Sequence, residues 1–191
     1  LYHHTNRQLL EWLRICPRKQ ITTLDTHDGL GVVDVADLMS QADIDRTLEG
    51  LYEKGSNIKR IYSGEAYQNL DIYQVNCTYY SALENNDDSY LAARAIQFFC
   101  PGIPQVYYVG LLAGSNDIEL VERTKNGRDI NRHGYDLDEI DQEMQRPVVQ
   151  RLLRLMTFRS YYPAFNGEFK IEATPENQVG LTWRKGKFLT T

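Results

Sequence analysis

A histidine and an aspartate stand side by side at His27 and Asp28, directly after a short apolar, β-branched run at positions 20–25 (QITTLD). The run reads as a buried strand, and a helix-forming stretch at 3–14 with Leu9, Leu10 and Leu13 on one stripe precedes it. Helix, strand, then polar residues at the strand's C-terminal end is the layout by which an α/β barrel presents its active face. A carboxylate at such a place can steady positive charge developing at a sugar C1, and an adjacent imidazole can bind a sugar hydroxyl. The same residues have a plainer reading, because Asp28-Gly29 is an ordinary turn dipeptide. A metal site built from Asp25, His27 and Asp28 is disfavoured, since no further ligands lie near them in sequence.

The elements that must position this pair follow along the chain. Residues 30–68 are irregular apart from a helical stretch near 43–53, and so long an interval predicts an inserted subdomain. The pattern predicts a helix over 89–100, capped by Ser89 and stopped by Pro101, and a second buried strand over 104–110 (PQVYYVG). One or two helices follow over 136–160, the first capped by Asp136 or Asp138 and the second carrying Pro147 in its first turn. Beyond Pro163 the texture changes to β-rich segments at 168–173, 179–184 and 186–191, which predict a small antiparallel domain. Two strands cannot close a barrel, so the chain reads as a piece of something larger.

The bulk numbers agree with a globular chain. Of 191 residues 42% are hydrophobic and 25% charged, with a net charge of −5. No basic cluster offsets that charge, which disfavours a nucleic acid partner, and no apolar run reaches the roughly 18–20 residues of a spanning helix. Cys16, Cys77 and Cys100 lie far apart without metal-ligand spacing and read as buried free thiols in a reducing compartment.

Several blocks together resemble a known family. The stretch 23–31 (TLDTHDGLG) is similar to the fourth short signature of the α-amylase superfamily, glycoside hydrolase family 13, in its sucrose phosphorylase form. The likeness continues through 69–76 (NLDIYQVN), 78–83 (TYYSAL), 101–110 (PGIPQVYYVG), 113–117 (AGSND) and 126–133 (NGRDINRH). The resemblance implies an α/β fold, the C-terminal part of a (β/α)8 TIM barrel with an inserted subdomain, followed by the start of a small antiparallel β domain. It divides the chain into barrel elements at 1–28, the insertion at 29–75, the last barrel elements at 76–162 and the β domain from 163. It also implies a role for each matching residue. Asp28 is the carboxylate that stabilises the transition state, and His27 hydrogen-bonds the ring hydroxyls. Arg128 binds the glucosyl unit. Asp71, Tyr73 and Gln74, with Leu70, lie in a loop that meets the fructosyl unit or the incoming phosphate. The other aromatic residues of these blocks, Tyr79, Tyr80, Tyr107 and Tyr108, read as core or wall packing. The implied reaction is phosphorolysis of sucrose to α-glucose 1-phosphate and fructose through a covalent glucosyl-enzyme, by a cytoplasmic monomer or homodimer, with no cofactor and no metal. Phosphorolysis of sucrose 6′-phosphate or of a glucosylglycerol-type compound, a plain hydrolase or amylosucrase, and a non-catalytic sugar-binding remnant are the competing readings. The family's nucleophile and acid/base precede the His-Asp signature, where this chain offers only Glu11, so the chain alone is expected to be inactive.

Overall fold

The computed structural model describes residues 5–32, 35, 38–53 and 74–191. The first helix, α1 (Arg7–Ile15), turns Leu13 inward and ends at Cys16 ahead of Pro17. The run after it forms a strand only over Ile21–Thr22 (β1), shorter than the six residues expected. A second short strand, β2 (Leu30–Gly31), pairs antiparallel with β3 (Gln74–Val75), placing Gly31 opposite Gln74. Between them α2 (Gln41–Glu53) packs Leu48 and Leu51 against Val75, Cys77 and Ala82.

The main core lies between two helices. After the short α3 (Tyr79–Ala82), α4 (Asp87–Phe99) buries Tyr90, Leu91 and Phe98. Its cap is Asn86, whose side chain accepts from the Ser89 amide. Ser89 therefore sits inside the first turn and is not the cap, because Asn86 and the two aspartates after it satisfy the helix start one turn earlier. The predicted strand over 104–110 is also corrected. Strand β4 covers Ile103–Pro104 and pairs in parallel with β1, whereas Tyr108–Leu111 forms a helical turn, α5. The side-chain amide of Gln97 donates to Thr22 O and Gln105 O at 2.9 and 2.7 Å, closing the end of this two-strand unit.

Three helices follow, α6 (Ile118–Thr124), α7 (Leu137–Glu143) and α8 (Pro147–Tyr161). Asp136 caps α7 in a reciprocal box with Glu139, and Pro147 opens α8, as the sequence predicts. From α8, Val148, Val149 and Leu152 pack on the Tyr90 and Phe98 face of α4. Burying each such side chain contributes roughly 1.5–3 kcal/mol. The chain then forms an antiparallel sheet of β5 (Glu168–Glu172), β6 (Gly180–Lys185) and β7 (Phe188–Thr190), in that order. This sheet is joined to the rest by Trp183, whose Nε1 donates to Phe99 O at 2.7 Å, and by Leu181, buried with Leu13, Cys16 and Cys100. Asn6 ties the start of the chain to the β5–β6 loop, donating from Nδ2 to Pro175 O and Gln178 O.

The three cysteines are free and buried, and burial pushes the Cys77 and Cys100 thiols up to about 12. Thiolate chemistry is suppressed at both. No helix among the described residues is long and apolar enough to cross a membrane.

Candidate functional site

Asp25 and Asp28, three residues apart, have opposite surroundings. Asp25 is buried, and its Oδ2 meets the Arg94 guanidinium at 2.6 Å. Arg94 is fully buried on α4 and also donates to Tyr90 Oη and to Gln97 Oε1. Burial works against its charge, but Tyr90 and Asp25 outweigh it and hold the guanidinium above its ordinary pKa. The Tyr90 hydroxyl in turn donates to Gly110 O. A Cβ at Gly110 would lie 2.0 Å from Asp25 Oδ2, so only glycine lets α5 approach this ion pair. The pair anchors the C-terminal end of the β1 segment to α4 and α5. No cluster of three or more metal-ligating side chains occurs among the described residues.

The chain then turns outward. Thr26 Oγ1 accepts from the Asp28 amide at 3.1 Å, and the Gly29 amide donates to Thr26 O. Gly29 takes φ +99, and a Cβ there would stand 2.3 Å from Val75 O. Glycine is thus required both by its backbone conformation and by the close passage of β3. The turn projects Asp28 to a half-buried position, while His27 is mostly exposed.

A second segment, distant in sequence, meets this turn. After α6 the chain passes through Lys125 in the left-handed region and a 3-10 turn over Gly127–Asn131. The Asn126 side chain accepts from the Arg128 amide and donates to Asp129 Oδ1, fixing the start of that turn, and Ile130 is buried against Val121 beneath it. Asn131 Nδ2 donates to Thr26 O, and Tyr107 Oη donates to Asn131 O. These contacts bring two arginines onto one carboxylate oxygen. Arg128 approaches Asp28 Oδ1 at 3.4 Å and Arg132 at 3.3 Å, with His27 Nε2 at 3.4 Å from Oδ2. Arg132 also donates from Nε to His27 O at 3.0 Å.

Three of the sequence-predicted residues, His27, Asp28 and Arg128, are therefore brought together. Gln74 sits opposite Gly31 in the strand pair, and its side-chain nitrogen is buried without a hydrogen-bond partner among the described residues. Asp71 and Tyr73, with Leu70, lie outside the described residues. Sequence reading missed Arg132, although its four-residue spacing from Arg128 inside the NGRDINRH block was a visible signal. Of the tyrosines read as packing, Tyr80 is buried, whereas Tyr108 is an exposed wall residue edge-on to Tyr107 and Tyr135.

Next to Arg132, His133 lies between two carboxylates. Its Nδ1 is 2.5 Å from Asp117 Oδ2, and its Nε2 is 3.5 Å from Glu139 Oε1. Burial pulls the imidazole pKa down, but hydrogen bonding to Asp117 and the charges of Asp117 and Glu139 outweigh it and raise it above 6.5. A raised folded-state pKa means the protonated bridge stabilises the fold fully below about pH 6.5. That contribution is lost as pH climbs through the higher folded value. Thermal melts across pH 5.5–9 should therefore show the Tm gap between wild type and His133→Gln narrowing towards alkaline pH. A gap constant with pH would contradict the charged bridge.

No family model matches the chain. Its relatives are glycoside phosphorylases in sequence and in fold. Sucrose phosphorylase of Streptococcus mutans is 54% identical over 181 residues, covering 95% of this chain and 38% of that protein. Glucosylglycerol phosphorylase of Marinobacter adhaerens is 50% identical over 94% of this chain and 38% of its own length. The crystal structure of sucrose 6F-phosphate phosphorylase from Thermoanaerobacter thermosaccharolyticum superposes with a TM-score of 0.87 at 50% identity, over 96% of this chain and 37% of that one. Over the stretch it spans, the chain is homologous to sucrose phosphorylases and to phosphorylases of related glucosides. It covers about 38% of the length of the curated relatives it matches.

Proposed function

We propose that this chain supplies the transition-state-stabilising carboxylate and part of the glucosyl-binding surface of a retaining glycoside phosphorylase of glycoside hydrolase family 13, acting on sucrose. The observation that carries this reading is the convergence of Asp28, Arg128 and His27, from segments 100 residues apart, on one half-buried turn. In the proposed reaction a nucleophilic carboxylate outside this chain attacks C1 of the glucosyl unit. The glycosidic C–O bond breaks, and an acid outside this chain protonates the departing fructose oxygen. Asp28 faces the positive charge that develops on the ring during this step and again when phosphate attacks the glucosyl-enzyme. The second step forms the C1–O–P linkage of α-glucose 1-phosphate and frees the nucleophile. His27 and Arg128 hold ring hydroxyls, as an exposed imidazole and a multi-donor guanidinium are suited to do. No organic cofactor or metal enters the scheme. The whole enzyme is proposed to work in the cytoplasm as a monomer or homodimer, and these 191 residues alone are proposed to be inactive.

Within the same proposal, β1 and β4 are neighbouring strands of a (β/α)8 barrel. Their parallel pairing supports this, as does the exposure of Ile21 and Ile103, at 65% and 71%. Parallel pairs are ordinarily covered on both faces. Residues 29–75 form the inserted subdomain, and the β domain starts at 163.

Sucrose 6′-phosphate or glucosylglycerol as substrate is the second reading, favoured by relatives of those two kinds at 51% and 50% identity. The experiment is release of glucose 1-phosphate by the full-length enzyme in phosphate buffer, from sucrose, sucrose 6′-phosphate and glucosylglycerol in parallel. Release from sucrose supports the first reading, and release from another glucoside alone moves the acceptor and keeps the chemistry. No release from any glucoside overturns the proposal.

A further inference from the structure

Arg132 spreads its guanidinium between the Asp28 turn and Asp129. Nε donates to the backbone of His27, one terminal nitrogen reaches Asp28 Oδ1, and the other lies 3.6 Å from Asp129 Oδ1. Such a fork fixes the carboxylate and its own backbone relative to each other, which a single point charge does not do. Arg132 is in turn fixed from both sides along the chain. Before it, Asn131 is pinned to Thr26 and Tyr107. After it comes His133, whose two ring nitrogens face two carboxylates from different helices.

Each of those carboxylates divides its oxygens between two tasks. Asp117 caps α6 through Oδ1, which accepts from the Leu120 amide at 2.8 Å, and offers Oδ2 to His133. Glu139 closes the α7 capping box through Oε2, which accepts from the Asp136 amide at 2.9 Å, and offers Oε1 to His133. The His133 carbonyl accepts from Tyr108 Oη at 2.8 Å, and its ring lies edge-on to Tyr135. Two helix starts and two tyrosines thus hold a residue that touches no part of the Asp28 turn itself.

We propose that Arg132 is a positioning residue for the Asp28 carboxylate, and that His133, clamped between Asp117 and Glu139, is the strut holding Arg132 in place. The role rests on the reading that Asp28 acts at the glucosyl carbon. It predicts an effect on the chemical step and not on ground-state binding, because misplacing a carboxylate by a fraction of an ångström weakens what it does for the transition state most.

The test is steady-state phosphorolysis by the full-length enzyme and its Arg132→Lys, His133→Gln and Arg132→Lys/His133→Gln variants, with melting curves for each. Arg132→Lys should lower kcat by about 10²-fold, with KM for the glucoside nearly unchanged. His133→Gln should lower kcat by roughly 3- to 30-fold. The double variant should match Arg132→Lys alone, since a strut has nothing left to hold. Asp117→Asn, which keeps the shape of the strut's partner, serves as the second probe should His133→Gln fold poorly, and it should lower kcat in the same direction. Multiplying effects in the double variant would overturn the proposal. So would a KM rise with kcat intact, or a lowered Tm with kcat intact. A parent enzyme inactive on every glucoside removes the phosphorylase reading and this role together, whereas an active parent with independent variants removes the positioning role only.

Discussion

Asp28→Asn in the full-length enzyme should lower kcat for phosphorolysis by on the order of 10³-fold, the scale at which removing one group aimed at transition-state charge is felt. The substitution keeps the size and planar shape of the side chain and removes its negative charge. An oxocarbenium-like transition state carries its positive charge only fleetingly, so KM should move far less than kcat. The fold should be indifferent. Asp28 is half-buried on a turn whose backbone bonds do not use its carboxylate, and contacts of its kind with arginine contribute about 1 kcal/mol or less. Stopped-assay measurement of glucose 1-phosphate, with circular dichroism as a check on folding, decides the matter. A variant within tenfold of wild type would show that Asp28 does not face the developing charge.

The second large effect is on stability. Asp25→Ala should destabilise the protein by about 3–5 kcal/mol, because it strands the Arg94 guanidinium in the interior without its counter-charge. Arg94 has no measurable exposure, and its remaining partners, Tyr90 and Gln97, are neutral. The comparison that isolates the cause is Arg128→Met, which breaks an ion pair at the protein surface and should cost under about 1 kcal/mol. Denaturant melts of both variants make the measurement. Equal, small shifts would mean that the interior tolerates the unpaired charge, and that the pair does not anchor the strand to its helix.

How legible these features were differs from residue to residue. The helices from 137 and 147 and the terminal sheet were readable because each is specified locally, by the Asp136 cap, Pro147 and alternating residues, and the helix from 87 was readable in its body though not in its cap. The run PQVYYVG was misleading for the opposite reason. Its β-branched and aromatic residues favour a strand, but Gln97 closes the strand pair at Gln105 and leaves the tyrosines to start a helical turn. Composition alone cannot report a hydrogen bond from another helix. Asp25 and Asp28 look equivalent in sequence, yet one is an internal anchor and the other faces outward. Only Arg94, 69 residues away, separates them. The His27-Asp28 turn was legible from its place after a strand and from the family's motif, whereas Arg132 matched no motif role and only the fold brings it to Asp28.

The attachment of α1 to the last sheet bears on how the chain is made. Leu13 and Leu181 share one cluster, and Asn6 holds the loop at 175–178. On the ribosome the helix emerges well before its partner strand, with a delay of roughly ten to thirty seconds at ordinary elongation rates. Through that interval the apolar stripe of Leu9, Leu10 and Leu13 can meet Ile96, Phe99 and Cys100 but lacks the Phe169, Val179 and Leu181 side of its cluster. Nascent chains halted before Phe169 should consequently be held by chaperones, and those released after Leu181 should not.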